Sequence, residues 1–174
     1  MNHMKTRIVL AMLLLAATCA AAAAQNTPET RATLAGLEGV AMQVVPVPVD
    51  LADRGITTMV LAVEVERVLK EGGVPINYPV PPDTVAEGPY LSLEVVALLD
   101  PYVDQVVYSI RLEFVQAVVL DRDETHRVYS APTWSVGGTG VYSDGWRQAI
   151  IDDVVAFTGQ FVEAYNLANP PPEQ

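Results

Sequence analysis

The chain has 174 residues, 51% of them hydrophobic and 18% charged, with 10 Lys and Arg against 21 Asp and Glu and a formal net charge of −11. That balance excludes nucleic acid and anionic membrane surfaces as partners, because both carry the same sign. One cysteine and two histidines exclude a disulfide framework and a cage of Cys or His around a metal.

The N-terminus reads as an export signal. Lys5 and Arg7 precede an apolar run over 8–17, followed by the small-residue stretch "ATCAAAAAQ". A basic start, a short apolar run and an A-x-A site at Ala22-Ala23-Ala24 make a secretory signal peptide over 1–24, with Gln25 as the mature start. Met4 offers an alternative initiation point. The apolar run is shorter than the roughly 20 residues a membrane span needs. A rival reading is a lipoprotein acylated at Cys19, but Ala16 and Thr18 fit that signal poorly. The expected location is periplasmic or secreted. Without the leader the chain is two units more negative and holds no cysteine, and His126 is its single histidine.

Residues 25–36 are weakly patterned and read as a loose segment; 37–168 reads as one domain and 169–174 as a proline-rich tail. A strand over 39–50 loses regularity at Pro46 and Pro48, which cannot donate to a ladder. "TTMVLAVEVERVLKEGG" alternates in part, but Leu61, Val65, Val68 and Leu69 follow a helical stripe. Thr57 caps it, Glu66 and Lys70 pair one turn apart, and Gly72-Gly73 ends it.

A short strand from Val74 dissolves into prolines by Pro82. "PYLSLEVVALLD" puts Leu91, Leu93, Val95, Ala97 and Leu99 on one face. "VVYSIRLEFVQAVVLD" turns Tyr108, Ile110, Leu112 and Phe114 inward and Ser109, Arg111 and Glu113 outward, with "DPYVD" as the connection. After the turn "DRDETH", the strand "RVYSAPTW" is placed at an irregular or edge position by Pro132. A closing helix over 144–167 carries the stripe Trp146, Ile150, Val154, Phe157, Phe161 and Tyr165, with Ser143 or Asp144 as its cap. Asn169 and the prolines behind it stop the helix. The expectation is an α+β fold, β-α-β-β-β-β-α, with a mixed, mostly antiparallel sheet and two helices on one face.

The segments "VEVERVLKEGGVPI", "PYLSLEV", "YSIRLEFVQAVVLDRD", "TWSVGGTG" and "FVEAYNLANP" resemble a group of small exported bacterial proteins without an assigned activity. The likeness spans roughly residues 34–170. It implies a single exported α+β domain and brings no catalytic residues with it.

Few side chains suggest chemistry. "TWSVGGTGVYSDGWRQ" nearly matches a dinucleotide fingerprint at Gly138, Gly140 and Ser143, with Arg147 one turn into the helix. No parallel strand with an acidic residue follows, so the glycines read as a sharp strand-to-helix turn. Asp121, Asp123 and Glu124, with Asp100 and Asp104 nearby, could offer oxygens to Ca²⁺. Arg122 and Arg127 interrupt them, and turns favour Asp anyway. His126 sits in a polar turn. Glu64, Glu66, Glu94, Glu113, Asp152 and Asp153 could supply a hydrolytic carboxylate pair, Asp153 bordering the apolar stripe, and Arg111 could pair with Glu94 or Glu113. Tyr78, Tyr90, Tyr102, Trp134, Tyr142 and Trp146 could form a sugar- or peptide-binding patch.

No catalytic residue, metal ligand or cofactor site is assigned. The expected role is a non-catalytic envelope or periplasmic accessory protein that binds another envelope protein. The alternative is a small-ligand or glycan binder, or a carboxylate hydrolase, with a pocket between helices and sheet.

Overall fold

The computed structural model describes residues 26–79, 88–100, 102 and 105–170. The leader with Met4 and Cys19, Asp104, the proline loop from residue 80, the tail from residue 171 and the side chain of Tyr78 lie outside the described residues. The elements in chain order are α1 (Pro28–Ala32), β1 (Val40–Val44), α2 (Val49–Ala52), α3 (Thr58–Glu71), β2 (Ile76–Pro79), β3 (Tyr90–Asp100), β4 (Gln105–Leu120), β5 (Asp123–Tyr142) and α4 (Trp146–Ala168). The fold is α+β, with a five-stranded mixed sheet in the order β2-β1-β3-β4-β5. β1 runs parallel to both β2 and β3, while β3–β4 and β4–β5 are antiparallel.

Both expected long helices form for the reasons the sequence offers. In α3, Leu61, Val65 and Leu69 are fully buried, and Thr57 Oγ1 accepts from the backbone N–H of Val60. Its outer face carries Glu64–Arg67, Arg67–Glu71 and Glu66–Lys70 pairs. α4 lies against β4 and β5, and α3 packs beside it and over β1 and β2. Trp146, Ile150, Val154, Phe161 and Tyr165 are buried, and Phe157 is half-buried. Thr158 also points inward, its hydroxyl donating to Val154 O at 2.7 Å. The expected cap at Ser143 or Asp144 is corrected. Gly145 caps α4 at φ 69° with no side-chain hydrogen bond, a left-handed conformation that glycine adopts at little cost.

Residues 28–34, read from the sequence as loose, form a short helix and a core anchor. Thr27 and Thr30 make a reciprocal capping box at the start of α1. Leu34 is fully buried. Asn169, at the end of α4, donates from Nδ2 to Leu34 O at 2.9 Å and accepts from Gly36 N at 2.7 Å. Trp134 Nε1 donates to Asn26 Oδ1 at 3.2 Å. Long-range contacts fix this segment, which local patterning could not reveal.

The glycine-rich stretch is also corrected. Gly137, Gly138 and Gly140 lie inside β5, paired with Arg111, Ile110 and Tyr108 of β4; they form neither a phosphate loop nor the turn expected of them. Their lack of a side chain is a packing requirement. A Cβ on Gly140 would sit 2.5 Å from the Tyr108 ring, and one on Gly138 would crowd Phe157 of α4 at 3.1 Å.

Beyond β3 the β4–β5 hairpin continues alone. Tyr90, where β3 begins, pairs with Val115, so Gln116 onward in β4 pairs only with β5. The arm is irregular, with register shifts between Gln116 and Val118 and between Val119 and Leu120, and residues 121–130 are all exposed.

Candidate functional site

Strand alternation gives the sheet two unlike faces. Leu91, Leu93, Val95, Tyr108, Ile110, Leu112, Phe114, Trp134 and Val136 point under the helices and are buried. Their neighbours point the other way, onto a face that no described helix covers. Register sorts that face into rows. Glu94 lies across from Arg111, Val96 from Ser109 and Leu98 from Val107, and Val107 in turn lies across from Val141.

The first row is ionic. Arg111 binds Glu94 at 2.6 Å and reaches Glu113 at 3.7 Å, so one arginine serves both expected partners. The carboxylates hold the guanidinium above its ordinary pKa, the Glu94 hydrogen bond contributing most. The last row is apolar: Leu98 is 73% exposed, Val141 57%, Val107 45%, and Val96 beside them 48%. Directly opposed side chains sit about 5 Å apart, so this is a contiguous patch. It borders a shallow depression of about 390 Å³ lined by Leu98, Leu99, Asp100, Tyr102, Gln105 and Val107. This exposed apolar surface, rimmed by polar groups, is the candidate site. The alternation of both strands was legible in the sequence, whereas the alignment of Leu98, Val107 and Val141 required the register.

The other candidate residues are dispersed. Glu64, Glu66, Glu94 and Glu113 are engaged by Arg67, Lys70 and Arg111, and Asp152 accepts from Gln148 at 2.8 Å. Asp153 has the one buried partner. Tyr108 Oη donates to its Oδ2 at 2.6 Å. Burial first, then the hydrogen bond to Asp153, pushes the Tyr108 phenol well above its usual pKa. That makes it a poor acid, suited to tethering α4 to β4. Tyr142 stacks on it at 5.9 Å. The Tyr165 phenol, raised by burial, similarly donates to Leu37 O at 2.8 Å.

Asp123 Oδ1 is taken by the backbone and hydroxyl of Thr125, and Asp100 Oδ1 by Tyr102 N. Among the described residues no three acidic, His or Cys side chains come together as a metal site. Asp121, Glu124 and His126 stand exposed at the hairpin tip. The five aromatics of that set whose side chains are described do not make one patch. Trp134 and Trp146 are core, Tyr90 is half-buried, and Tyr102 and Tyr142 are exposed. Trp134 instead meets Phe161 edge-on at 5.2 Å, with Phe114 and Tyr165 around the same ring.

No family model matches the chain, and no curated protein matches it. Among solved structures it is similar to a substituted PelC dodecamer from Paraburkholderia phytofirmans, at 16% identity over 72% of this chain and 91% of that one, with a TM-score of 0.44. A PelC dodecamer from the same bacterium in another space group gives 14% identity over 75% and 91%, with a TM-score of 0.36. A minor lipoprotein from Acinetobacter baumannii gives 9% over 76% and 94%, with a TM-score of 0.28. Likeness at this level carries no functional argument, so the surface is read from its own residues. No described helix is long and apolar enough to cross a membrane.

Proposed function

We propose that this is an exported, non-catalytic accessory protein of the bacterial envelope that works by binding another envelope protein through the uncovered face of its sheet. The observation that carries this reading is the row Leu98–Val107–Val141, exposed side by side on a three-strand surface. The leader-like N-terminus and the resemblance to small exported proteins support export. The partnering of the candidate carboxylates supports a role without catalysis. The alternative pocket between helices and sheet is not favoured over this reading by the described residues. The described depressions lie at the β3–β4 end and beside α1, and each is lined by at most one carboxylate.

Site-specific photo-cross-linking in the producing cell's envelope tests the reading. A probe at Val107 is expected to give a discrete adduct with another envelope protein, and a probe at Met59, exposed on α3, none. No adduct at Val107, with a co-purifying glycan or small molecule instead, overturns it.

A further inference from the structure

The sheet has two edges, and they are built differently. β2 is four residues long and ends in Pro79, which has no backbone N–H to offer. Short strands and prolines are how edges are closed to further pairing. β5 forms the other edge, and no described strand pairs with its outer side. From Val136 to Tyr142 it pairs with β4 without a break, from Leu112 to Val106. Among the described residues, the backbone of this stretch makes no hydrogen bond beyond the β4 ladder. Its outward donors and acceptors are a template for one more strand. Between Arg127 and Asp144 no residue is charged, although the chain carries a net charge of −11. Copies that repel one another overall meet the least repulsion along such a stretch.

We propose that the chain forms a closed dimer through this edge, two copies of β5 pairing antiparallel about Thr139 into one continuous sheet. The stretch reads "VGGTGVY", Val136 to Tyr142, and it is complementary to its own reverse. The two-fold register sets Thr139 opposite Thr139, Gly138 opposite Gly140, Gly137 opposite Val141 and Val136 opposite Tyr142. Opposed threonines, and aromatic against β-branched side chains, are among the pairings that stabilise antiparallel strands. Val141 meets a glycine rather than another bulky side chain. Tyr142, 42% exposed in the single chain, gains the valine of the second copy as a neighbour. The occupant is a second copy because the same residues supply both halves of every pairing and no charge opposes another. With β2 closed, each chain has one competent edge, so association stops at two copies instead of running into a fibre. The dimer leaves Leu98 and Val107 on the open face, and so does not depend on what binds there.

Sedimentation velocity on the full chain carrying Cys19→Ala, which removes its single cysteine, is expected to show a dimer. Thr139→Cys then places two thiols on the axis. Directly opposed Cα atoms lie about 4.5–5.5 Å apart, within disulfide reach, so mild oxidation is expected to give a covalent dimer on a non-reducing gel. Ser109, exposed on the same face and across from Thr139 in β4, is the control. Its copies would stand three strand spacings apart, about 14 Å, so Ser109→Cys is expected to give no covalent dimer, whereas stacking of two open faces would link it equally well. Thr139→Lys sets like charges directly across the axis and is expected to weaken the dimer at least about fivefold, and Thr139→Glu to do the same. An equimolar mixture of the two opposes unlike charges and is expected to restore the dimer. Thr139 is exposed, so these changes leave the core intact, which circular dichroism checks. A parent that stays monomeric, equal cross-linking at Ser109→Cys, or a mixture that fails to recover the dimer would each overturn the proposal.

Discussion

The two faces of the sheet are written in alternate letters of the same strands, yet they obey different rules. On the covered face, position and shape are set by what lies above: Phe114 stacks on Phe161, Tyr108 bonds Asp153, and Gly140 leaves room for the Tyr108 ring. On the open face, Arg111 spans two glutamates in water and Leu98 stands largely exposed with no described layer above it. The difference teaches where substitutions will register. Covered-face changes should alter stability, and open-face changes should alter recognition.

The largest effect is expected at Phe161. It is fully buried and touches Phe114, Trp134 and Tyr165. Phe161→Ala removes that shared partner and leaves a cavity, which should cost about 3–5 kcal/mol in a urea titration. A loss below about 1 kcal/mol would mean that the covered face is not close-packed. Gly140→Ala tests the opposite failure, too much matter rather than too little. Its new Cβ would meet the Tyr108 ring at 2.5 Å, so a loss of about 1–3 kcal/mol is expected. No change would show that Tyr108 can swing aside.

Gly140 also shows how far the sequence could be read. The strand alternation of Leu91 to Ala97 and Tyr108 to Phe114, the α3 stripe and the Thr57 cap were all legible, because each depends on neighbours a few residues away. The role of the glycines was not, because Tyr108 and Phe157 meet them only after folding. The same holds for Leu34 and Asn169, 135 residues apart, which turn an apparently loose segment into part of the core. Asp153 stood out in the sequence as bordering the apolar stripe, but its partner Tyr108 did not. The apolar row lay hidden for a related reason: Leu98, Val107 and Val141 become neighbours through register alone.

A smaller effect is expected at the tether between the layers. Tyr108→Phe deletes one hydrogen bond to a carboxylate that can still reach water, worth about 1–2 kcal/mol. It also has a pH signature. Burial and the Asp153 contact raise the folded-state pKa of Tyr108, so the unfolded chain loses the phenolic proton first. The stabilisation is therefore complete below the unfolded value of about 10 and is lost as pH rises above it. Denaturant titrations at increasing alkalinity should show Tyr108→Phe losing less stability than the parent. Tyr165, also raised by burial, accounts for a shared residual slope. Parallel curves would mean that Tyr108 ionises as freely folded as unfolded.

Crossing to the open face, Arg111→Ala removes both ion pairs at once. The arginine side chain is 59% exposed, and such pairs are worth little in water and less in salt. The expected change is under about 1 kcal/mol at low salt, shrinking as sodium chloride is added. A large, salt-independent loss would show that this row is structural after all and would erase the contrast between the faces.

Leu98→Ser sharpens the contrast furthest because its expected stability effect is the smallest. At 73% exposure the side chain contributes little to the core, so thermal and urea midpoints should stay within about 0.5 kcal/mol of the parent. If the apolar row is a binding surface, the same substitution should weaken cross-linking from a probe at Val107, because it inserts a polar group into the middle of the desolvated contact. The two readouts separate the alternatives. Unchanged stability with lost cross-linking assigns Leu98 to a partner. Lost stability would place it in the fold, and retention of both would make the patch an incidental product of strand alternation.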